Sequence, residues 1–188
     1  MNIFILDQDP VIAAQLQCDK HAAGKMALES AQMLCTAHRM LDGVKIKAPS
    51  KSGKTMVNHY ILPDHPHEDV IYKAVHFNHP CTVWTRESLE NYEWHYRHFV
   101  ALCDEFTYRY NKVHLSDKLL RNILKTPPKG IPQKGLTQFP LAMKSNPECM
   151  FPDNPVKSYR LFYQTKQKRF SMDWTKRNIP KWFQKLTK

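Results

Sequence analysis

Hydrophobic and polar positions follow helical spacing over much of the chain. In residues 85–111, Leu89, Tyr92, Tyr96, Phe99, Cys103, Phe106 and Tyr110 recur at intervals of 3, 4, 3, 4, 3 and 4. That spacing places all seven on one stripe of a long amphipathic helix. Five of the seven are aromatic, which favours a globular core over a coiled-coil seam. At 1.5 Å per residue the helix spans roughly 40 Å and is predicted to be the central strut of the fold. A second stripe, Met26, Ala27, Ser30, Ala31, Leu34 and Ala37, predicts a helix ending near Met40. Asp9-Pro10 opens an earlier helix reaching about His21. Asp is a good N-cap, and proline suits the first helical position because its missing N–H has no partner there. Gly24 weakens the junction between these two helices.

Shorter elements follow the same logic. Ser116 caps a helix through Leu119, Leu120, Ile123 and Leu124, which Pro127-Pro128 stops. Asn154-Pro155 opens a last helix carrying Tyr159, Phe162 and Tyr163. Residues 2–6 form a short apolar run that reads as a buried strand. Residues 43–77 read as β structure: Val44 and Ile46 alternate with Lys45 and Lys47, and residues 56–62 and 70–77 are two further strands. Residues 126–155 contain seven prolines and predict a long surface connection. The expected fold is mainly α with a small antiparallel β element, an α+β arrangement in one domain over residues 1–188.

Composition adds a partner. The 188 residues carry 28 Lys+Arg against 17 Asp+Glu, a net charge of +11. Residues 157–188 hold ten basic side chains and one acid, so they account for +9 of it. Tyr159, Phe162, Tyr163, Phe170, Trp174, Trp182 and Phe183 lie among those charges. Lysine and arginine neutralise phosphates, and aromatic rings stack on bases. The segment therefore predicts a nucleic-acid surface, DNA more than RNA, carried by Arg160, Lys166, Lys168, Arg169, Trp174, Lys176, Arg177, Lys181 and Trp182. The other reading is that the aromatics pack the tail onto the domain and the charges are solvated. The five cysteines are odd in number and form no C-x-x-C pair, which fits a reducing compartment such as the cytoplasm. No stretch approaches the ~20 apolar residues of a membrane span, so no membrane partner is expected.

Four places carry candidate chemistry. Ala48-Pro-Ser-Lys-Ser-Gly-Lys-Thr55 matches a permissive phosphate-loop pattern. The residues after it alternate like a strand, however, so Lys51 and Lys54 read as a basic hairpin tip on a DNA backbone. His59, His65, His67, His76, His79 and Cys81 crowd into 23 residues. No cofactor is expected, because the spacings fit no standard finger; if zinc binds, His65, His67, His76 and His79 are its candidates. His79 and Arg86, leading into the long helix, could face a phosphate at its N-terminus; equally, Thr85 is a cap and Arg86 a solvated residue. Finally, Cys18-Asp-Lys-His21 is followed by Lys25, Glu29 and Gln32. On a continuous helix His21, Lys25, Glu29 and Gln32 lie near one face. A carboxylate beside an amine and an imidazole can do acid–base or nucleophilic work. The alternative is a Lys25–Glu29 surface ion pair.

Asp9-Pro, Cys18-Asp-Lys-His21, Leu28-Glu-Ser-Ala-Gln32, His79-Pro and Arg86-Glu-Ser-Leu-Glu-Asn-Tyr92 resemble a group of small phage-encoded proteins over most of the chain. In layout more than motif, the chain also resembles pyrimidine-dimer DNA glycosylases of the phage endonuclease V type. The matching parts are the 10–32 helices, the run from His79 to Arg109, and Trp174 to Phe183. That resemblance implies a DNA repair or modification enzyme acting on a base or its N-glycosidic bond, a hydrolase or lyase. It implies Glu29 or Asp19 as acid–base group, Lys20 or Lys25 as nucleophile and His21 as orienter or proton donor. Those glycosylases use the α-amine of a processed N-terminus. Here Asn2 follows Met1, a residue that normally prevents methionine removal, so the nucleophile is expected to have moved to Lys20 or Lys25, or Glu29 to activate water. Two further classes remain: a non-catalytic nucleic-acid-binding protein, and a metal-dependent nuclease or phosphohydrolase using the 59–81 histidines.

Overall fold

The long helix forms over its whole stripe, Leu89 to Tyr110, but does not extend back to residue 85. In the computed structural model, which describes residues 1–22, 24–50 and 52–186, the run from His79 to Asn111 is two helices. These are α4 (Pro80–Glu87) and α5 (Leu89–Tyr110), broken at Ser88 in extended backbone. Ser88 accepts the Glu90 N–H as N-cap of α5, and the Asn91 amide donates to the Trp84 carbonyl at 2.9 Å, taking a group a continuous helix would use. At 22 residues, α5 runs roughly 33 Å.

Around α5 the described residues form five more helices and one sheet: α1 (Pro10–Gln15), α2 (Asp19–Ala22), α3 (Lys25–Leu41), α6 (Leu115–Leu124) and α7 (Pro155–Thr165), with β1 (Val44–Pro49) paired antiparallel to β2 (Met56–Ile61). The fold is thus α+β, mainly α. Helix α5 packs against α1, α3, α4 and α6. The predicted face of α3 is the buried one: Met26, Ala27, Ser30, Ala31, Leu34 and Ala37 are all at most 2% exposed. Buried apolar residues from Ile3 to Phe183 belong to one cluster. No described helix is long and apolar enough to cross a membrane, and all five cysteines are buried free thiols.

Three predicted elements are corrected. Residues 2–6 are buried but unpaired; the sheet of the described residues holds β1 and β2 alone. Residues 70–77 form no strand. Arg39, 4% exposed, draws that stretch inward: its guanidinium donates to the carbonyls of Tyr72 (2.7 Å), Glu68 (2.9 Å) and Ile71 (2.6 Å) and to the Glu68 carboxylate. Those carbonyls are lost to any ladder. The first helix ends at Gln15 rather than His21, because Arg109 takes the Gln15 carbonyl at 3.0 Å and the Trp174 indole takes that of Leu16 at 2.9 Å. Gly24, at φ +99, then breaks α2 from α3; a Cβ there would meet the His114 ring at 3.0 Å.

The Pro-rich 126–155 segment carries one 3₁₀ turn, Pro147–Cys149, and is pinned to the helices rather than free. Asp42 accepts the N–H groups of Lys129 and Gly130, both at 2.8 Å, and Asn91 bonds Thr137 in both directions.

Candidate functional site

The break at Gly24 removes the continuous helix that placed His21, Lys25 and Glu29 on one face. The three still meet, because the short α2 folds back so that they line one cavity of about 510 Å³. Its other walls come from distant segments: Met1, Asn2 and Phe4 from the N-terminus, and Phe162, Lys166, Arg169 and Phe170 from the end of α7 and the turn after it. Lys20 lies at its rim.

Glu29 is the one carboxylate in that lining. One of its oxygens accepts the Asn2 N–H at 3.0 Å and lies 3.5 Å from the Met1 α-amine; the other lies 4.0 Å from the Lys25 ammonium. The Lys25–Glu29 pair is therefore no isolated ion pair, because the same carboxylate also faces the Met1 α-amine. Lys166 stands 3.6 Å over the Phe162 ring. Burial, then Arg169 and Lys25, push its ammonium below the ordinary lysine range. That shifts an amine towards its nucleophilic, uncharged form.

His21 is held as a neutral base. Its ring stacks on Phe4 with centroids 4.6 Å apart, and Phe170 meets it edge-on at 5.5 Å. Burial, followed by the charges of Lys25, Lys166 and Lys20, depresses its pKa to about 3. Nδ1 lies 2.7 Å from the Tyr163 hydroxyl, whose oxygen also accepts the Cys18 N–H at 2.9 Å. An imidazole nitrogen is a much better acceptor than the Cys18 sulfur 3.3 Å away. The Tyr163 proton therefore goes to Nδ1, leaving Nε2–H as a donor on the cavity side.

Asp19 has a different task from the catalytic one assigned to it. Its carboxylate accepts from Arg109 at 2.9 Å and from the Thr175 N–H at 3.0 Å and hydroxyl at 2.8 Å. Burial alone would raise its pKa, but the Thr175 and Arg109 hydrogen bonds outweigh that and hold the carboxyl below its usual value. It staples the C-terminal segment to α2 and α5. The same segment's expected DNA contacts divide accordingly. Trp174 and Phe183 are buried against each other, with centroids 4.8 Å apart, and Trp182 is half-buried beside them. Arg177 is paired with Glu105 at 2.9 Å; Lys176 donates to the Tyr108 carbonyl at 2.7 Å; Arg160 donates to the Leu6 carbonyl at 2.9 Å. These groups hold the tail down. Lys168, Arg169 and Lys181 remain exposed, and Lys166 faces the cavity.

His79 and Arg86 are not brought together. His79 is the N-cap of α4, and Arg86, in its last turn, donates to Thr82. Over seven residues of helix they stand roughly 10 Å apart. His79 lies close enough to the Met1 amine and Glu29 for both charges to act on it; burial, chiefly, and the amine lower its pKa. Among the described residues no three His, Cys, Asp or Glu side chains are placed to hold a metal ion. The His65 and His67 rings are 5.8 Å apart, whereas His76 belongs to the turn before α4. The Ser50 N–H donates to the Thr55 carbonyl at 2.7 Å between the end of β1 and the start of β2, so the phosphate-loop pattern joins two strands and opens no helix. Lys54 is exposed on that turn; Lys51 lies outside the described residues.

A second cleft, between α1, α5, Arg121 of α6 and Arg177, is lined mostly by charges matched with each other, Arg121 with Asp104 and Arg177 with Glu105. What spacing did not reveal is the part played by Met1, Phe162, Lys166 and Phe170 in the Glu29 cavity; the last three were signalled only by the basic and aromatic alternation of the tail, and Met1 only by the glycosylase resemblance. No protein family, curated protein or solved structure matches the chain.

Proposed function

We propose that the protein is a DNA-acting enzyme that cleaves or exchanges a base at its N-glycosidic bond, with the Glu29 cavity as its active site. The observation that carries this reading is a single carboxylate facing two amines, the Met1 α-amine and Lys25, in a cavity of nucleotide size that Lys20 and Lys166 also line. A base must leave the stack for such chemistry, and a cavity ringed by Lys20, Lys25, Lys166 and Arg169 suits an extruded nucleotide and its phosphates.

In the proposed step an uncharged amine of the cavity attacks C1′ of the deoxyribose. The C1′–N bond breaks and its electron pair leaves with the base; the attacking nitrogen gives one proton to Glu29, which passes it to the departing base. The C1′–O4′ bond then opens with its electron pair on O4′ as the nitrogen lone pair forms C1′=N, and the second nitrogen proton passes through Glu29 to O4′, giving an imine and a free 4′-hydroxyl. Glu29 accepts and returns protons, and His21, through Nε2–H, donates a hydrogen bond to the leaving base or the sugar oxygen. The Met1 α-amine, Lys25, Lys20 and Lys166 are the amines available.

Borohydride trapping on damaged and modified duplexes, followed by peptide mapping, tests the reading. A covalent adduct on one of these four amines is expected; no adduct and no released base across the substrates would leave a non-catalytic nucleic-acid-binding protein instead.

A further inference from the structure

The feature the cavity leaves unexplained is the β1–β2 hairpin. From Val44 to Ile61 the chain holds four lysines and no acid. In the antiparallel register Lys45 faces Tyr60, Lys47 faces Asn58 and Pro49 faces Met56. Side chains alternate across a strand, so Lys45, Lys47, Met56 and Asn58 share one face; all four are exposed. Ile46, Ala48, His59 and Ile61 of the other face line a cavity with Lys73 and Ala74 of the body; Pro49 and Tyr60, at the ends of the lysine face, reach the same cavity.

The outer half of the hairpin stands away from the protein. Residues 52–58 are exposed without interruption, Met56 is 61% exposed, and nothing lies within 4 Å of where a side chain at Gly53 would begin. A lone two-stranded hairpin is marginally stable in water, so a projecting one that buries little of its outer half contributes little to the fold. Its shape and charge fit a duplex. Strands of six residues are ~20 Å long, and the major groove of B-DNA, ~12 Å wide, admits a two-stranded ribbon. The corresponding groove of A-form RNA is too narrow for one.

We infer that the β1–β2 ribbon docks in the major groove of duplex DNA, with the Lys45, Lys47 and Asn58 face towards the groove and Lys54 on the phosphate backbone. It takes its partner class from the proposed function but needs none of the Glu29 chemistry.

The test uses the full chain, a labelled B-form duplex and the triple variant Lys45→Gln/Lys47→Gln/Lys54→Gln, with melting temperature confirming an intact fold. The variant is expected to bind at least ~10-fold more weakly near 0.1 M salt, with the slope of log K against log salt reduced by about 1, the share of the Lys54 phosphate contact. Arginine at the three positions is expected to restore binding. Wild-type protein is expected to protect guanine N7 in the major groove from methylation. Unchanged affinity and slope in the triple variant, N7 fully reactive in the bound complex, or equal competition by duplex RNA would each overturn the inference. Base release by wild-type protein with unchanged DNA affinity in the triple variant would overturn the ribbon alone. Normal ribbon-dependent binding with no base chemistry would overturn the enzyme alone.

Discussion

Glu29 accepts the backbone N–H of Asn2 at 3.0 Å through the oxygen that also faces the Met1 α-amine. The N-terminal segment is thereby tied to α3 at the cavity floor. Glu29→Gln keeps an amide oxygen to accept that N–H but removes the charge and the proton-transfer capacity. Base release is expected to fall by at least ~100-fold, with a change in stability within about 1 kcal/mol. Single-turnover kinetics beside thermal melting separate the two effects. Activity within a few fold of wild type would remove Glu29 from the chemistry.

Asp19 and Thr175, 156 residues apart, make the complementary structural contact. Arg109, whose side chain is fully enclosed, loses one of its two carboxylate partners in Asp19→Ala and keeps Glu105. The substitution is expected to cost about 2–3 kcal/mol, less than a fully buried pair because Asp19 is partly open to solvent, and to speed tryptic cleavage at Lys176 and Arg177. The folded carboxyl titrates below its unfolded value. Its contribution is therefore present above about pH 4 and is lost as pH falls through the folded pKa. Wild type and variant should converge in stability at low pH, which chemical denaturation at pH 3 and pH 7 checks.

The difference between Glu29 and Asp19 shows what spacing can and cannot convey. Lys25–Glu29 is an i,i+4 pair, and the α3 and α5 stripes are periodic, so all three are visible in the sequence. Asp19 sits in an equally suggestive run, but its partners, Arg109 and Thr175, are 90 and 156 residues away. Non-local hydrogen bonds leave no periodicity. The same holds for Arg39, whose distant carbonyl partners undo an apparently good strand at 70–77, and for Arg177, whose charge is matched by Glu105. Thr85 was the cap the sequence offered; the chain breaks at Ser88 instead, with Asn91 reaching both Trp84 and Thr137.

Tyr163 fixes the tautomer of His21 through the 2.7 Å contact to Nδ1. Tyr163→Phe leaves that nitrogen and the Cys18 N–H without their buried partner. A loss of about 1–3 kcal/mol in stability is expected. A purely structural role predicts no more. If Nε2–H is the working donor, the histidine side-chain ¹⁵N spectrum of the variant should also show His21 redistributed between tautomers, and kcat should fall more than KM rises. An unchanged His21 spectrum would show that Tyr163 does not set the tautomer.

Buried histidines give the protein an acid-sensitive core. Burial, chiefly, depresses the pKa of His21 to about 3 and those of His38 and His98 to about 4. In the unfolded chain each titrates near 6.5, so between these values the unfolded state binds more protons. Stability is expected to be full above pH 6.5 and to fall as pH drops towards 4. His38 donates through Nε2 to the Tyr92 hydroxyl at 2.8 Å, because Tyr92 itself donates to the Leu124 carbonyl. His38→Gln can keep a donor there without a titrating group. The variant should lose some stability at neutral pH but show a shallower acid slope, by about 1.4 kcal/mol per pH unit over pH 4.5–6. Urea midpoints across that range measure it; a slope equal to wild type would mean that His38 titrates normally in the folded protein.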